Sequence, residues 1–271
     1  MNPAFPRLFV TDLDGTLLTD DQRVSPVTRD ALDRFIARGN VFAISTGRSL
    51  NSALDVQKEM NLDYPGSFII SYDGAHIFDT RNGQTVFRVG VPLPLVAEIQ
   101  ALAASMQVHC HTYSDTHIVT PAVNECITHY IKYIKMPLLV TDDLAGALDE
   151  EPCKLLGLDL HDHEHLEAFR LAILDRWGDT LECTYSNPQY LEIISREAGK
   201  GPAVRRLCGH LGIPVENAIA AGDAENDISM IEAAGLGIAM CNGDPAVMRA
   251  ADAVTSEDNN HDGLAPFLNQ A

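Results

Sequence analysis

Leu8-Phe9-Val10-Thr11-Asp12-Leu13-Asp14-Gly15-Thr16-Leu17-Leu18 is the stretch on which the reading of this chain turns. Its apolar start, Leu8 to Val10, reads as a buried strand, and it stops at two aspartates two apart, followed at once by glycine and threonine. That is a strand feeding an acidic turn. In a parallel α/β sheet, ligands bind outside the carboxyl ends of the strands, so acids at that edge are placed for chemistry rather than packing. A lone Asp-x-Asp is ordinarily a solvated turn. The rest of the chain decides against that reading here.

Outward from this stretch, strand and helix alternate. Ser25-Pro26 reads as an N-cap with proline at the first helical position, and Val27, Ala31, Leu32, Phe35 and Ile36 follow at helical spacing until Gly39. Val41 to Ile44 is a second apolar strand closing on Ser45-Thr46-Gly47-Arg48, with another helix beginning near Leu50. Phe68 to Ile70 is a third, ending in Ser71-Tyr72-Asp73-Gly74-Ala75. This rhythm predicts a doubly wound parallel sheet, an α/β fold. It breaks after a hairpin around Asn82-Gly83 and the Pro92-Leu93-Pro94 boundary.

From there to about Pro188 the chain reads as a mixed α+β insert. Helices are expected over 95–105, 122–134 and 163–176, and strands over 107–112, 117–120, 154–160 and 180–184. The first rhythm then resumes with Tyr190-Leu191-Glu192-Ile193-Ile194 and Gly199-Lys200-Gly201 opening a helix. The small-residue strand Ala218 to Ala221 follows, then Gly222-Asp223-Ala224-Glu225-Asn226-Asp227, the strand Leu236 to Met240 and a terminal helix around Leu264 to Asn269. The expected organisation is a discontinuous core, residues 1–88 and 189–271, interrupted by an inserted domain at 89–188.

The totals bound the function. A chain of 271 residues, 46% hydrophobic and 21% charged, can bury a sizeable core. Its 38 acids against 19 Lys and Arg give a net charge of -19, which repels nucleic acid and anionic membranes; neither is an expected partner. Any site for a phosphate must therefore gather cations locally. The six cysteines form no C-x-x-C pair or dense framework, and no run approaches the ~20 apolar residues of a membrane span. A soluble, cytoplasmic protein with reduced thiols is expected.

Asp12 and Asp14, Thr46, Lys200, and Asp223 with Asp227 all fall where a doubly wound sheet presents one edge. Carboxylates held together there cannot all stay ionised without a counter-charge, and a hard divalent ion, most naturally Mg²⁺, supplies it. Lys200 adds a positive charge, and Thr46 a hydroxyl beside backbone N–H groups. Such a set suits phosphoryl transfer. Each residue also has a structural reading. Acids at a helix start, such as Glu225 and Asp227, complement the helix dipole. Asp12 and Asp14 together have no such excuse, and Lys200 at a helix N-terminus is unfavourable unless something pairs with it.

These segments, in this order, resemble the haloacid dehalogenase superfamily of phosphatases. Asp-Leu-Asp-Gly-Thr at 12–16 is similar to its first motif, Thr46-Gly47-Arg48 to its second, Lys200 to its third, and Gly222 to Asp227 to its fourth. The insert between the second and third is similar to the α/β cap of the Cof-like subfamily. The resemblance implies that Asp12 attacks phosphorus and forms an aspartyl-phosphate, and that Asp14 protonates the leaving alkoxide and then takes a proton from water. It implies Mg²⁺ held by the carboxylates of Asp12 and Asp223 and the main-chain carbonyl of Asp14, with Asp227 in an outer-shell role. Thr46, Gly47, Lys200 and Asn226 would bind the substrate phosphate, and a small phosphorylated metabolite such as a sugar phosphate would be the substrate.

The chain departs from the resemblance at Asp73, where Asn-Gly-Ala is usual and Asp73-Gly74-Ala75 stands; an added anion there is expected to weaken binding or alter preference. Asn259, Asn260, Asp262 and Gly263 resemble the family's closing segment. Other signals point to structure. His161-Asp162-His163-Glu164-His165 has no structural-zinc spacing, and Asp162 is a natural N-cap. His109 and His111 share one face of a strand, with Cys110 on the other. Gly199-Lys200 lacks a P-loop glycine at 194. The rival functions are a sugar phosphomutase and, from another class, a signalling receiver that keeps its phospho-aspartate.

Overall fold

The computed structural model describes residues 5–132, 134 and 136–270. Residues 1–4, 133, 135 and 271 lie outside it, and with them both ends of the expected core and one position of the helix expected over 122–134. The chain begins with β1 (Leu8–Thr11), α1 (Pro26–Ala37), β2 (Val41–Ser45), α2 (Leu50–Glu59), β3 (Phe68–Ser71), β4 (His76–Asp79) and β5 (Gln84–Arg88). It continues through α3 (Leu93–Met106), β6 (His109–Tyr113), β7 (Ile118–Thr120), α4 (Glu125–Tyr130), β8 (Leu138–Val140), β9 (Lys154–Leu158), α5 (His163–Trp177), β10 (Leu181–Asn187) and β11 (Tyr190–Ser195). It ends with α6 (Lys200–Leu211), β12 (Ala218–Gly222), α7 (Ile228–Ala233), β13 (Leu236–Ala239), α8 (Pro245–Ala250), β14 (Ala253–Val254) and α9 (Ala265–Gln270).

The core sheet runs β14-β13-β12-β1-β2-β3-β4-β5. It is parallel from β14 to β3, and the β4–β5 hairpin adds antiparallel strands at one edge. β1 lies in the middle, Leu8 pairing with Ala218 on one side and Val41 on the other. Period-two alternation gives β1 two buried faces, the mark of a doubly wound sheet. Phe9 packs with Leu32 and Phe35 of α1, Ala53 of α2 and Leu268 of α9; Leu8 and Val10 pack with Val204 and Leu207 of α6 and Met230 of α7.

The second sheet, the cap, runs β10-β11-β9-β6-β7-β8. One face is covered by α3 and α5 through Ile99, Leu166, Phe169 and Ile173 against Cys110, Leu155 and Ile193. The other face, carrying Tyr113, Leu156 and Ile194, packs with α4 and with Tyr72 and Ala75 of the core. This second face therefore looks onto the core's strand ends.

One boundary differs from the expectation. β11, read as the point where the core resumes, pairs antiparallel with both β9 and β10 and so belongs to the cap sheet. Its apolar pattern suits either sheet, and Pro188, taken as the end of the insert, lies in the loop that closes the β10–β11 hairpin, where Asn187 faces Tyr190. The core sheet's chain thus resumes at α6. The short elements β8, α8 and β14 carry too few residues to show a period, and none was expected.

Candidate active site

Because β1, β2, β3 and β12 are parallel, the residues just beyond them share one edge, and there stand Asp12, Thr46, Asp73 and Asp223. Lys200 enters from α6, and its place is set by contact. Gly74, at φ 92°, packs so tightly that an added Cβ would collide with the Gly199 carbonyl. The turn after β3 therefore seats the first residue of α6. Lys200 is fully buried, and its Nζ donates to Asp12 Oδ1 at 2.7 Å and to Asp227 Oδ1 at 2.5 Å. The unfavourable helix-start lysine has its partners.

Asp223 Oδ1 accepts from Thr16 Oγ1 at 2.5 Å. Gly15, at φ 81°, faces the same carboxylate, and a Cβ there would lie 2.6 Å from Asp223 Oδ2. Carboxylate oxygens of Asp12, Asp223 and Asp227 lie within 4.8 Å of one another. Asp227 is already committed: one oxygen takes Lys200, the other accepts from the backbone N–H groups of Asp223 and Ala224 at 2.9 and 3.1 Å. Asp12 and Asp223 each keep an oxygen without a protein donor among the described residues.

The charges do not balance. Burial, then Asp227, Asp223 and Asp14, raise the Asp12 carboxyl well above the ordinary range despite Lys200; burial and Asp227 push Asp223 to about 7 despite the Thr16 hydrogen bond. Burial opposes the charge on Lys200, but Asp12 and Asp227 outweigh it and raise its pKa. An all-oxygen donor set with surplus negative charge fits a hard divalent cation. The donors' chemistry suits Mg²⁺.

Asp14 points the other way, half-exposed, and is gripped by a residue whose part sequence reading left undefined. Arg48 Nε and Nη2 donate to its two oxygens at 2.9 and 2.6 Å, and Gln22 Nε2 adds a bond at 3.1 Å. Thr46 is buried beside them, its Oγ1 accepting from Arg48 N at 3.2 Å.

Asp73 is buried in a turn where Tyr72 and Asp73 both have positive φ, 50° and 53°. Its Oδ1 accepts from Asn226 Nδ2 at 2.7 Å, so Asn226 lies in the site but is engaged by a protein carboxylate. Its Oδ2 has no hydrogen-bond partner among the described residues, and 3.6 Å away lies Nζ of Lys154 from the cap strand β9. Lys154, also buried, donates to Glu192 Oε2 at 2.7 Å and to the Gly47 carbonyl at 2.5 Å. Burial pushes Glu192 to about 7 although Lys154 pulls it down. Sequence reading missed both. An alternating strand with one charged residue on an apolar face was the available signal: Lys154 before Leu156 and Leu158, Glu192 between Tyr190 and Ile194.

A cavity of about 640 Å³ lies between core and cap, bounded by Asp12, Asp14, Thr46 and Arg48 below and by Tyr130 and Lys154 above. The closing segment supports its floor from behind: Asn259 Nδ2 donates to the Leu18 carbonyl at 2.9 Å, and Asp262 accepts from Ser25 Oγ. The histidines of 161–165 do not converge. His161 meets Glu125, His163 the Pro188 carbonyl and His165 Asp159, while Asp162 caps α5 by accepting from His165 N at 3.0 Å.

The family profile of haloacid dehalogenase-like hydrolases matches residues 9–268. The chain belongs to that family. Among relatives of this hydrolase, the Bacillus subtilis (strain 168) protein YxeH, which carries a provisional phosphatase name, is 31% identical over 267 residues, 97% of each chain. The 5-amino-6-(5-phospho-D-ribitylamino)uracil phosphatase YitU of the same organism is 29% identical over 276 residues, 98% of this chain and 97% of its own. A solved haloacid dehalogenase-like hydrolase from Bacteroides thetaiotaomicron superposes with a TM-score of 0.85 at 27% identity, covering 98% of this chain and 99% of that one. With this family and these relatives, the chain is a phosphoric monoester hydrolase with the core-and-cap fold. Among the described residues, no helix is long and apolar enough to cross a membrane.

Proposed function

We propose that this hydrolase is a Mg²⁺-dependent phosphatase that removes phosphate from a small metabolite, a sugar phosphate or related polyol phosphate, through an aspartyl-phosphate on Asp12. The observation that carries the reading is Lys200 bridging Asp12 and Asp227 beside Asp223, at the floor of a cavity closed by the cap. The relative YitU, named for a ribityl phosphate, supports the substrate class. The six free cysteines support a reducing compartment such as the cytoplasm.

Asp12 Oδ forms the new bond to phosphorus as the bond to the alcohol oxygen breaks, and that oxygen leaves with a proton from Asp14. To carry that proton on one oxygen, Asp14 gives up the Arg48 bond to that oxygen, while its other oxygen can still accept from the guanidinium. Water then attacks the phosphorus and yields its proton to Asp14, while the bond from phosphorus to Asp12 Oδ breaks, so that inorganic phosphate leaves and the Asp12 carboxylate is restored. Lys200 holds Asp12 in place and, with Thr46 and the Gly47 backbone, neutralises the phosphoryl oxygens. Mg²⁺, held by Asp12, Asp223 and the Asp14 carbonyl, would supply charge neutralisation at the phosphate. Asp227 orients Lys200 and the turn carrying Asp223, and Asn226 helps place the phosphate.

The test is release of inorganic phosphate from phenyl phosphate with Mg²⁺ present. Asp12→Asn should lower turnover by at least about 10³-fold with the thermal transition retained, and chelator should abolish wild-type turnover reversibly. An active Asp12→Asn variant would overturn the nucleophile. Isomerised sugar phosphate without free phosphate would point to a mutase, and a long-lived phosphoprotein to a receiver.

A further inference from the structure

The cap carries a chain of hydrogen bonds, buried from His109 onward, that the phosphoryl chemistry does not use. It starts at Asn124, the N-cap of α4. The Asn124 Oδ1 accepts from Ile127 N at 3.1 Å, which turns the amide nitrogen toward His109 Nδ1 at 3.0 Å. An amide nitrogen only donates, so His109 Nδ1 accepts and the ring's proton sits on Nε2. That Nε2 lies 3.3 Å from His111 Nδ1, which must also accept. His111 Nε2 then donates to Tyr113 Oη at 3.0 Å, and Tyr113 donates to Tyr130 Oη at 2.6 Å. Both imidazoles remain neutral, since burial pushes His109 down to about 4 and holds His111 well below its ordinary value.

At the end of the chain is Tyr130. Its oxygen accepts from Tyr113, and its own proton meets no acceptor among the described residues, although the residue is only 6% exposed. It borders, from the cap, the cavity that Asp14, Arg48, Lys154 and Glu192 also line. That is where the alcohol part of an ester bound to Asp12 has to lie. A buried hydroxyl proton that borders that space and meets no acceptor among the described residues is costly until a ligand oxygen meets it.

We propose that Tyr130 is a specificity residue: its hydroxyl, oriented by the Asn124–His109–His111–Tyr113 relay, donates a hydrogen bond to an oxygen of the substrate's alcohol portion, and so favours hydroxylated sugar or alditol phosphates over bare aryl esters. This rests on the phosphatase reading above and narrows its substrate class. Asn124, His109 and His111 are positioning residues in it. They fix the direction in which the last hydroxyl points its proton.

The decisive experiment compares wild type and Tyr130→Phe on phenyl phosphate, which offers no oxygen beyond the phosphate, and on glucose 6-phosphate, ribose 5-phosphate and ribitol 5-phosphate. For the wild type's best hydroxylated ester, Tyr130→Phe should lose about tenfold or more in kcat/KM and stay within about twofold on phenyl phosphate. Equal losses on both, no loss on either, or a wild type that favours no hydroxylated ester would overturn the proposal. A wild type that releases no phosphate from phenyl phosphate would overturn the phosphatase reading instead. Imidazole ¹⁵N spectra of the wild type give a readout independent of turnover. His109 and His111 should both be Nε2–H, and an Nδ1–H form of His111 would show the relay running the other way.

Discussion

Asp73 shows how far a single residue can be read without its surroundings. From sequence it stands out as an extra acid where a neutral amide is usual, and a weakened phosphate site is the natural expectation. The structure supplies what the sequence could not, a lysine from a strand some eighty positions away whose ammonium lies 3.6 Å from the carboxylate. Asp12, Lys200 and Asp223 were legible because they sit beside glycines and strand ends that punctuate the chain. Lys154 was harder to read, because its one local signal, a lone charge on the apolar face of a strand, does not say which partner it meets. Asp73→Asn keeps the shape, the tolerance of positive φ and the oxygen facing Asn226, while removing one negative charge from the site. The KM for phenyl phosphate should fall about two- to tenfold with kcat little changed. Steady-state kinetics at fixed Mg²⁺ check this, and an unchanged or higher KM would count against a charge effect.

Elements were legible where their ends carry chemistry. Ser25-Pro26 starts α1 as expected, Ser25 Oγ accepting from Thr28 N at 3.1 Å, and Asp162 starts α5. β11 was assigned to the wrong sheet because an apolar run specifies burial and not a neighbour. The β4–β5 hairpin, expected around Asn82-Gly83, has a feature that only pairing reveals: His76 Nε2 meets Thr85 Oγ1 at 2.8 Å across the two strands. Burial and the nearby Arg88 charge push His76 from 6.5 down to about 4. The unfolded chain takes up that proton as pH falls from about 6.5, whereas the folded chain waits until about 4. His76 therefore makes the fold lose stability as pH drops through that window and costs nothing above it. In urea denaturation, wild type minus His76→Gln should show a stability difference that grows more unfavourable to wild type from pH 7 to pH 4.5. A difference independent of pH would mean that His76 protonates as readily folded as unfolded.

At the scale of the molecule, a net charge of -19 and a site for a phosphate ester are reconciled by concentration. Arg48 and Lys154 border the cavity and Lys200 lies under it, each held by carboxylates. Lys154 also ties the two sheets together, because its ammonium reaches from the cap to the Gly47 carbonyl of the core. Lys154→Met should destabilise the protein by about 3–5 kcal/mol, since it leaves Asp73 and Glu192 buried without a cation, and adding Glu192→Gln should restore part of the loss. Urea titrations of the single and double variants measure both, and additive losses would argue against a shared ion pair. One further consequence follows from β11 lying in the cap. The polypeptide leaves that sheet at Ser195 and arrives, after one buried bend through Ala198 and Gly199, directly at Lys200. The roof and the ammonium beneath it hang on the same short tether, so any tilt of the roof tugs on the very group that grips Asp12.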